Sequence, residues 1–160
     1  MSDTNQNLLS ALMCCSKDRG KMAALRRYWS PTTRHQAYPV LAQLHALGAE
    51  VHGDMILSAL FATNPNHQPN MGPLGKSLLK LCGGGDAAMD RHVRRLISLD
   101  ELDAVADELC RLNLRFKSSG IPVDYEQLLW DLRRWKKESE LVKIKWARSF
   151  WGNVTSEEYL

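Results

Sequence analysis

The chain has 160 residues, 44% of them apolar and 24% charged, with a formal net charge of +3 and only 10 glycines and 6 prolines. That length and apolar share support one buried core and exclude a disordered chain. A net charge this small is weak evidence for a polyanionic partner until its distribution is considered. No apolar run approaches the roughly 20 residues that cross a bilayer, and the opening MSDTNQNLLSALMCC has an acid and no early cation, unlike a secretion signal. The expectation is therefore a reduced, cytoplasmic protein with no membrane partner, in which the acceptor sequence Asn153-Val154-Thr155 is meaningless for glycosylation. Cys14, Cys15, Cys82 and Cys110 fit no C-x-x-C spacing and complete no ligand set with the five histidines. They read as small buried apolar residues, and no metal or other cofactor is expected.

In chain order, residues 1–15 read as a weak helix or a tail. Ser16 can cap a helix through Trp29, with Met22, Leu25 and Trp29 inward and Arg19, Arg26 and Arg27 outward, ended by Pro31 and Thr32-Thr33. Tyr38 to Leu47 predicts the next helix, with Pro39 in its first turn and Gly48 as C-cap; Val51 to Ala62 predicts a third. Ala62 to Pro73 is one long Pro/Asn loop, where regular structure is ruled out. Leu74 to Cys82 is a short helix stopped by Gly83-Gly84-Gly85. Ala87 to Ile97 is amphipathic, with Met89, Val93, Leu96 and Ile97 inward and Arg91, Arg94 and Arg95 on the opposite face. Ser98 with Glu101 forms a capping box for a helix reaching about Ser118, striped by Leu102, Val105, Ala106, Leu109, Leu112 and Phe116.

Gly120 and Pro122 then introduce the most informative stretch, Ile121 to Trp151, which holds four of the five tryptophans. It reads as two helices with a short break. Asp124 caps the first, with Gln127 completing a capping box, and Tyr125, Leu128, Leu129, Leu132 and Trp135 form its buried stripe. Trp130, Arg133, Arg134 and Lys137 recur at i, i+3, i+4 and i+7 on the far side. Ser139 caps the second helix, whose apolar residues are Val142, Trp146, Ala147, Phe150 and Trp151, with Lys143, Lys145 and Arg148 turned away. Residues 152–160 are a tail. No segment alternates with period 2 for long enough to be a strand, so the fold class is all-α: a bundle of about eight helices in a single domain over 1–160.

Charge is unevenly placed: Lys17 to Arg34 holds six Lys/Arg against Asp18 alone, whereas Asp100 to Glu108 holds five acids and no base. Candidate nucleic-acid contacts are accordingly Arg19, Arg26 and Arg27; Lys76 at the start of a helix; Arg91, Arg94 and Arg95; and Arg133, Arg134, Lys136 and Lys137. Guanidinium groups sharing one face can fork onto successive phosphates. Asp131 and Glu138 can pair with the last of these clusters, and Trp130 can stack a base, although a tryptophan at helical spacing more often packs on a neighbour.

The succession RGKMAALRR (Arg19–Arg27), PLGKSLLKL (Pro73–Leu81), RHVRRLISLDELDAVADEL (Arg91–Leu109), VDYEQLLWDLRRW (Val123–Trp135) and KWARSFW (Lys145–Trp151) resembles the CasB family. CasB is the small subunit of the type I-E CRISPR surveillance complex, Cascade. The resemblance covers about Arg19 to Trp151 and implies an all-helical, non-catalytic subunit present in two copies. It implies the backbone and large Cascade subunits, CRISPR RNA, target DNA and the displaced single strand as partners, and R-loop stabilisation in antiviral defence as the role. The physical demand agrees, because an extruded strand must be held by its backbone rather than read by its bases.

Two other readings compete. One is a helical protein–protein adaptor whose cations are only solvated. The other is a P-loop nucleotide-binding protein, since Gly72-Pro73-Leu74-Gly75-Lys76-Ser77 resembles the end of a phosphate loop and Leu96 to Glu101 a Walker B strand. The loop lacks the leading glycine, with Asn70 in its place, and a Pro/Asn loop rather than a strand precedes it. No catalytic grouping is suggested by spacing: Asp124 and Glu126 fall on different faces, and His92 is a boundary residue rather than a base.

Overall fold

Wherever apolar residues recur three and four apart in this chain, a helix forms and turns that stripe inward. The structure, a computed structural model, describes residues 2–82 and 87–152; the predicted Gly83–Gly85 stop, all of the predicted tail 152–160 but Gly152, and the acceptor sequence within that tail lie outside. Eight helices run in the order α1 (Ser2–Cys15), α2 (Arg19–Arg26), α3 (Tyr38–Gln43), α4 (Val51–Thr63), α5 (Leu74–Cys82), α6 (Ala87–Ser98), α7 (Leu102–Ser119) and α8 (Tyr125–Trp151). Two 3₁₀ turns, Arg27–Trp29 and Arg34–Ala37, lie between α2 and α3. The all-α expectation holds. Among the described residues there is no strand, and the loop after α4 makes one isolated parallel bridge, His67 to Val123.

The centre of the molecule is α4, buried from Gly53 to Thr63 and apolar nearly all round. It packs against α2, α7 and α8, while α5 lies on α8. Of residues 1–15, read as a weak helix or a tail, Ser2–Cys15 are helical and contribute Leu8, Leu9, Leu12 and Cys15 to the core. The stripes of α6, α7 and α8 are buried as expected, including Met89, Val93, Leu96, Val105, Leu109, Leu112, Phe116, Tyr125, Leu132 and Trp135.

Several helix ends differ from expectation, each because a better-placed group serves. Asp18, not Ser16, caps α2 by accepting from the Lys21 amide, and Ser16 Oγ donates back to the Met13 carbonyl. α3 ends at Gln43, where His45 takes the left-handed turn (φ 59°) that Gly48 was expected to supply. Ser98 is the last residue of α6, donating to the Arg95 carbonyl, so it cannot cap α7; Glu101 starts α7 without a side-chain cap. Gly120 ends α7 in the left-handed region (φ 68°). Asp124 caps α8 through the Gln127 amide. Cys14 is exposed and Cys82 and Cys110 are half-buried, so Cys15 alone fits the expected burial.

The expected pair of closing helices is one assigned helix, α8, broken at Glu138 (φ −136°, ψ 36°), one residue before the expected cap Ser139. The break is sharp. Fifteen residues of straight helix would span about 22 Å, yet Trp146 Nε1 donates to Asp131 Oδ2 at 2.9 Å and the Trp135 and Trp146 rings lie 5.6 Å apart. The arm 139–151 therefore folds back on the arm 125–137 as a helical hairpin. Gly53 lets α4 approach the first arm, with an added Cβ 3.1 Å from the Arg133 nitrogen. Gly75 lets α5 approach the second arm even more closely: its Cβ would sit 2.0 Å from Ser149 Oγ and 2.6 Å from the Trp146 carbonyl.

Candidate nucleic-acid interface

The loop before α5 is held to the start of α8 rather than left open. The amides of Val123 and Gln68 exchange bonds with the carbonyls of Asn66 and Val123 at 3.0 and 3.1 Å. Tyr125 Oη donates to the Asn64 carbonyl at 2.5 Å, and its backbone amide donates to His67 Nδ1 at 3.1 Å. Burial pushes the Tyr125 phenol far above its usual range, so it stays a neutral donor. The Gly72 amide, which a phosphate loop would aim at its ligand, donates instead to Asp124 Oδ2 at 3.2 Å. Gly75 lies inside α5 at the helix crossing, Ser77 Oγ is buried and donates to the Pro122 carbonyl at 2.8 Å, and Leu96 to Glu101 ends α6 rather than forming a strand. The phosphate-loop geometry is thus not formed. Lys76 alone of that motif is exposed.

Arg19 and Arg26 of α2 and Arg27 of the 3₁₀ turn after it all face outward as expected. Arg26 Nη1 also donates to the Ala62 carbonyl at 3.1 Å, satisfying an acceptor in the last turn of α4. Arg34, not singled out from the sequence, stacks over the Tyr28 ring at 4.4 Å while its Nε donates to the Tyr28 carbonyl.

The three α6 arginines are exposed, but they do not act as one row. Arg94 turns toward α8: its Nε donates to Asp90 Oδ2 at 2.6 Å, its guanidinium lies 5.1 Å over the Trp151 ring, and Trp151 Nε1 donates to Asp90 Oδ1 at 2.6 Å. Arg94, with Trp151 second, holds the Asp90 carboxyl below its ordinary value. Arg95 turns toward α7, with Nε 3.5 Å from Glu108 Oε2. Arg91 projects between them, without an ion pair among the described residues.

The cluster on α8 is corrected more strongly. Arg133 is not a surface cation: its side chain is 12% exposed and grips the buried Asp54 through Nε (2.7 Å) and Nη2 (3.1 Å). Arg134 is partly exposed and lies 4.0 Å from Glu138, the pairing anticipated from the sequence, with its Nε buried and unbonded. Asp131 cannot pair at the surface, because it is fully buried; it accepts from Trp146 and forms an ion pair with Lys145. Lys136 is exposed but borders a cleft of about 580 Å³ that Glu50, Asp100, Glu101 and Asp103 also line. Lys137 is exposed and Trp130 half-buried.

Sequence reasoning missed the burial of three carboxylates that organise these cations, Asp54, Asp131 and Glu108. Asp131 stands three residues after Leu128 and four before Trp135, squarely on the apolar stripe, and that spacing was the available signal. Glu108 directly precedes stripe residue Leu109 and binds Arg111 Nη2 at 2.9 Å as well as Arg95. Lys143, expected to face solvent, is drawn to Asp100 at 2.5 Å.

The family model of CRISPR-associated protein Cse2 matches residues 21–151. Among curated proteins no sequence matches the chain significantly. Similar solved folds include a Cse2-family protein from Thermus thermophilus, at 24% identity and TM-score 0.76 over 92% of this chain and 97% of that one. A chain of a CRISPR RNA-guided surveillance complex is similar at 22% identity and TM-score 0.78, covering 94% of this chain and 92% of that one. CasB of M. ruber is similar at 20% identity and TM-score 0.74, covering 98% and 97%.

Proposed function

The chain belongs to the CRISPR-associated Cse2 family, and we propose from that premise that it is the small, non-catalytic subunit of a type I-E surveillance complex, Cascade. In this reading it stabilises the R-loop by holding the backbones of the target and displaced DNA strands. Its partners are the complex's backbone and large subunits, a second copy of itself, CRISPR RNA and the DNA strands, and it works in the cytoplasm. The observation that carries the nucleic-acid part is the outward face of α6, where Arg91 and the 68%-exposed Arg95 present guanidinium groups to solvent. Arg19, Arg27, Lys76 and Lys137 add exposed cations elsewhere, with Arg26 partly engaged by α4. Such contacts track phosphates without reading bases, as a subunit beside a guide-paired strand requires.

The adaptor reading retains one observation in its favour, the cleft lined by Glu50, Asp100, Glu101 and Asp103, which suits a basic protein segment better than a polyanion. A gel-shift series with single-stranded DNA separates the two, using the isolated chain and the assembled complex at two salt concentrations. Backbone binding weakens steeply with salt, by about one log–log unit for each phosphate neutralised. Arg91→Ala reduces that slope by about one unit on every target sequence alike. Absence of binding at low salt in both forms would establish the adaptor instead.

A further inference from the structure

Among the described residues, Glu108 is the one acid on which two helices bring their cations together. Its side chain is 4% exposed, while Arg95 from α6 (68% exposed) and Arg111 from α7 (61% exposed) both reach the same oxygen, Oε2, at 3.5 and 2.9 Å. His92 Nδ1 stands 4.0 Å from the other oxygen. Two guanidinium groups on one carboxylate oxygen leave an excess of positive charge, and each uses a single edge, Nε in Arg95 and Nη2 in Arg111. Their remaining N–H donors are free to fork onto another anion.

The patch continues along both helices. Arg91 lies one turn from Arg95 on α6, and Arg115 one turn from Arg111 on α7, so each pair shares a face. Arg91 and Arg115 are both exposed, and neither has an ion pair among the described residues. α6 and α7 are joined by residues 99–101 only and meet at Glu108, which Arg95 approaches from α6 and Arg111 from α7, so the four arginines stand on two adjoining helices. Asp107, one turn before Arg111, is an exposed acid beside them that holds no ion pair among the described residues.

We propose that Arg91, Arg95, Arg111 and Arg115 form one phosphate-binding strip across α6 and α7 for single-stranded DNA, with Glu108 as the buried carboxylate that holds Arg95 and Arg111 in convergent orientation. The strip rests on the nucleic-acid reading above and extends it to two residues outside the sequence-derived set. A preset fork loses less freedom on binding than two unrestrained arginines. The strip omits Arg94, whose guanidinium is engaged by Asp90 and Trp151.

The test is fluorescence anisotropy of a labelled oligothymidylate with the full chain over a salt series, beside thermal melting of each variant. Arg111→Ala and Arg115→Ala each lower the log–log salt slope by about one unit. Arg115→Ala is the safeguard against misfolding, because Arg115 holds no ion pair in the described structure, and Arg111→Lys, which can keep the contact to Glu108, retains most of the slope. Lys80→Ala removes an exposed cation of α5 outside the strip and leaves the slope unchanged. Unaltered slopes in Arg111→Ala and Arg115→Ala while wild type binds would overturn the strip but leave the nucleic-acid reading standing. An equal loss in Lys80→Ala would reduce the strip to a net-charge effect and overturn it. No binding by wild type, alone or assembled, would remove both.

Discussion

Arg133 and Lys137 stand one helical turn apart on α8 and look interchangeable as surface cations, yet the fold uses them oppositely. Arg133 neutralises Asp54, a carboxylate on the central helix that has almost no access to water. Lys137 is exposed and holds no ion pair among the described residues. Removing one partner of a buried pair leaves the other charge uncompensated, at a cost of about 3–5 kcal/mol. Removing an exposed lysine away from such features changes stability by no more than about 0.5 kcal/mol. Urea denaturation of Arg133→Ala should therefore show a large fall in stability and that of Lys137→Ala almost none. If both variants unfold like wild type, the Asp54–Arg133 pair has been given too much weight. Where Arg133→Ala is destabilised as expected, a loss of DNA binding by it reports on folding, not on a phosphate contact.

At the scale of the element, α8 is the part on which most of the rest depends, and its fold-back makes a buried polar pair out of residues fifteen apart. Trp146 fills the crossing of the two arms and is fully buried, with its indole N–H on Asp131. Lys145, next to it, crosses to the same carboxylate. Trp146→Ala should cost about 3–5 kcal/mol by cavity formation, and it also deprives Asp131 of a donor. Lys145→Ala should destabilise toward the lower end of the about 3–5 kcal/mol for an unpaired buried charge, because the lysine itself is partly solvated. Arg148, on the same arm but exposed, provides the comparison. A Lys145→Ala protein that melts like an Arg148→Ala protein would show that water, rather than Lys145, satisfies Asp131.

For the whole molecule, the apolar stripes are consumed by a single core, and among the described residues the large exposed apolar side chains are scattered over several helices and a loop, with Leu141 and Ile144 the only pair one turn apart. That is far less than the area a stable, independent dimer buries. Free in solution, the chain should sediment as a monomer or a weak dimer, any second copy being recruited within the larger assembly. Sedimentation velocity at low and high salt checks this, and a tight dimer that survives high salt would contradict it. Charge is likewise segregated, with guanidinium groups across α2 and α6 and carboxylates around the cleft between α4, α7 and α8.

Periodicity by itself determined the all-α class, the spans of α4, α5 and α6 to within a residue, the core stripes of α7 and α8, and the break that makes α8 a hairpin. These are local properties: an apolar residue every third or fourth position can be buried in only one way, and Gly120 or Asp124 acts on its own neighbours. The order of the sequence blocks also carried the family. Only the tertiary structure decided which cations are available. Whether Arg133 is a surface charge depends on Asp54, 79 positions earlier, and whether Lys143 is free depends on Asp100, 43 positions earlier. Arg94 and Arg95 are adjacent in the chain, yet they turn to different neighbours because α8 lies on one side of α6 and α7 on the other. A helical face read from spacing shows which side chains point away from the core, but a buried carboxylate on another helix can claim any of them, because its desolvation cost makes a distant arginine the most favourable partner in reach.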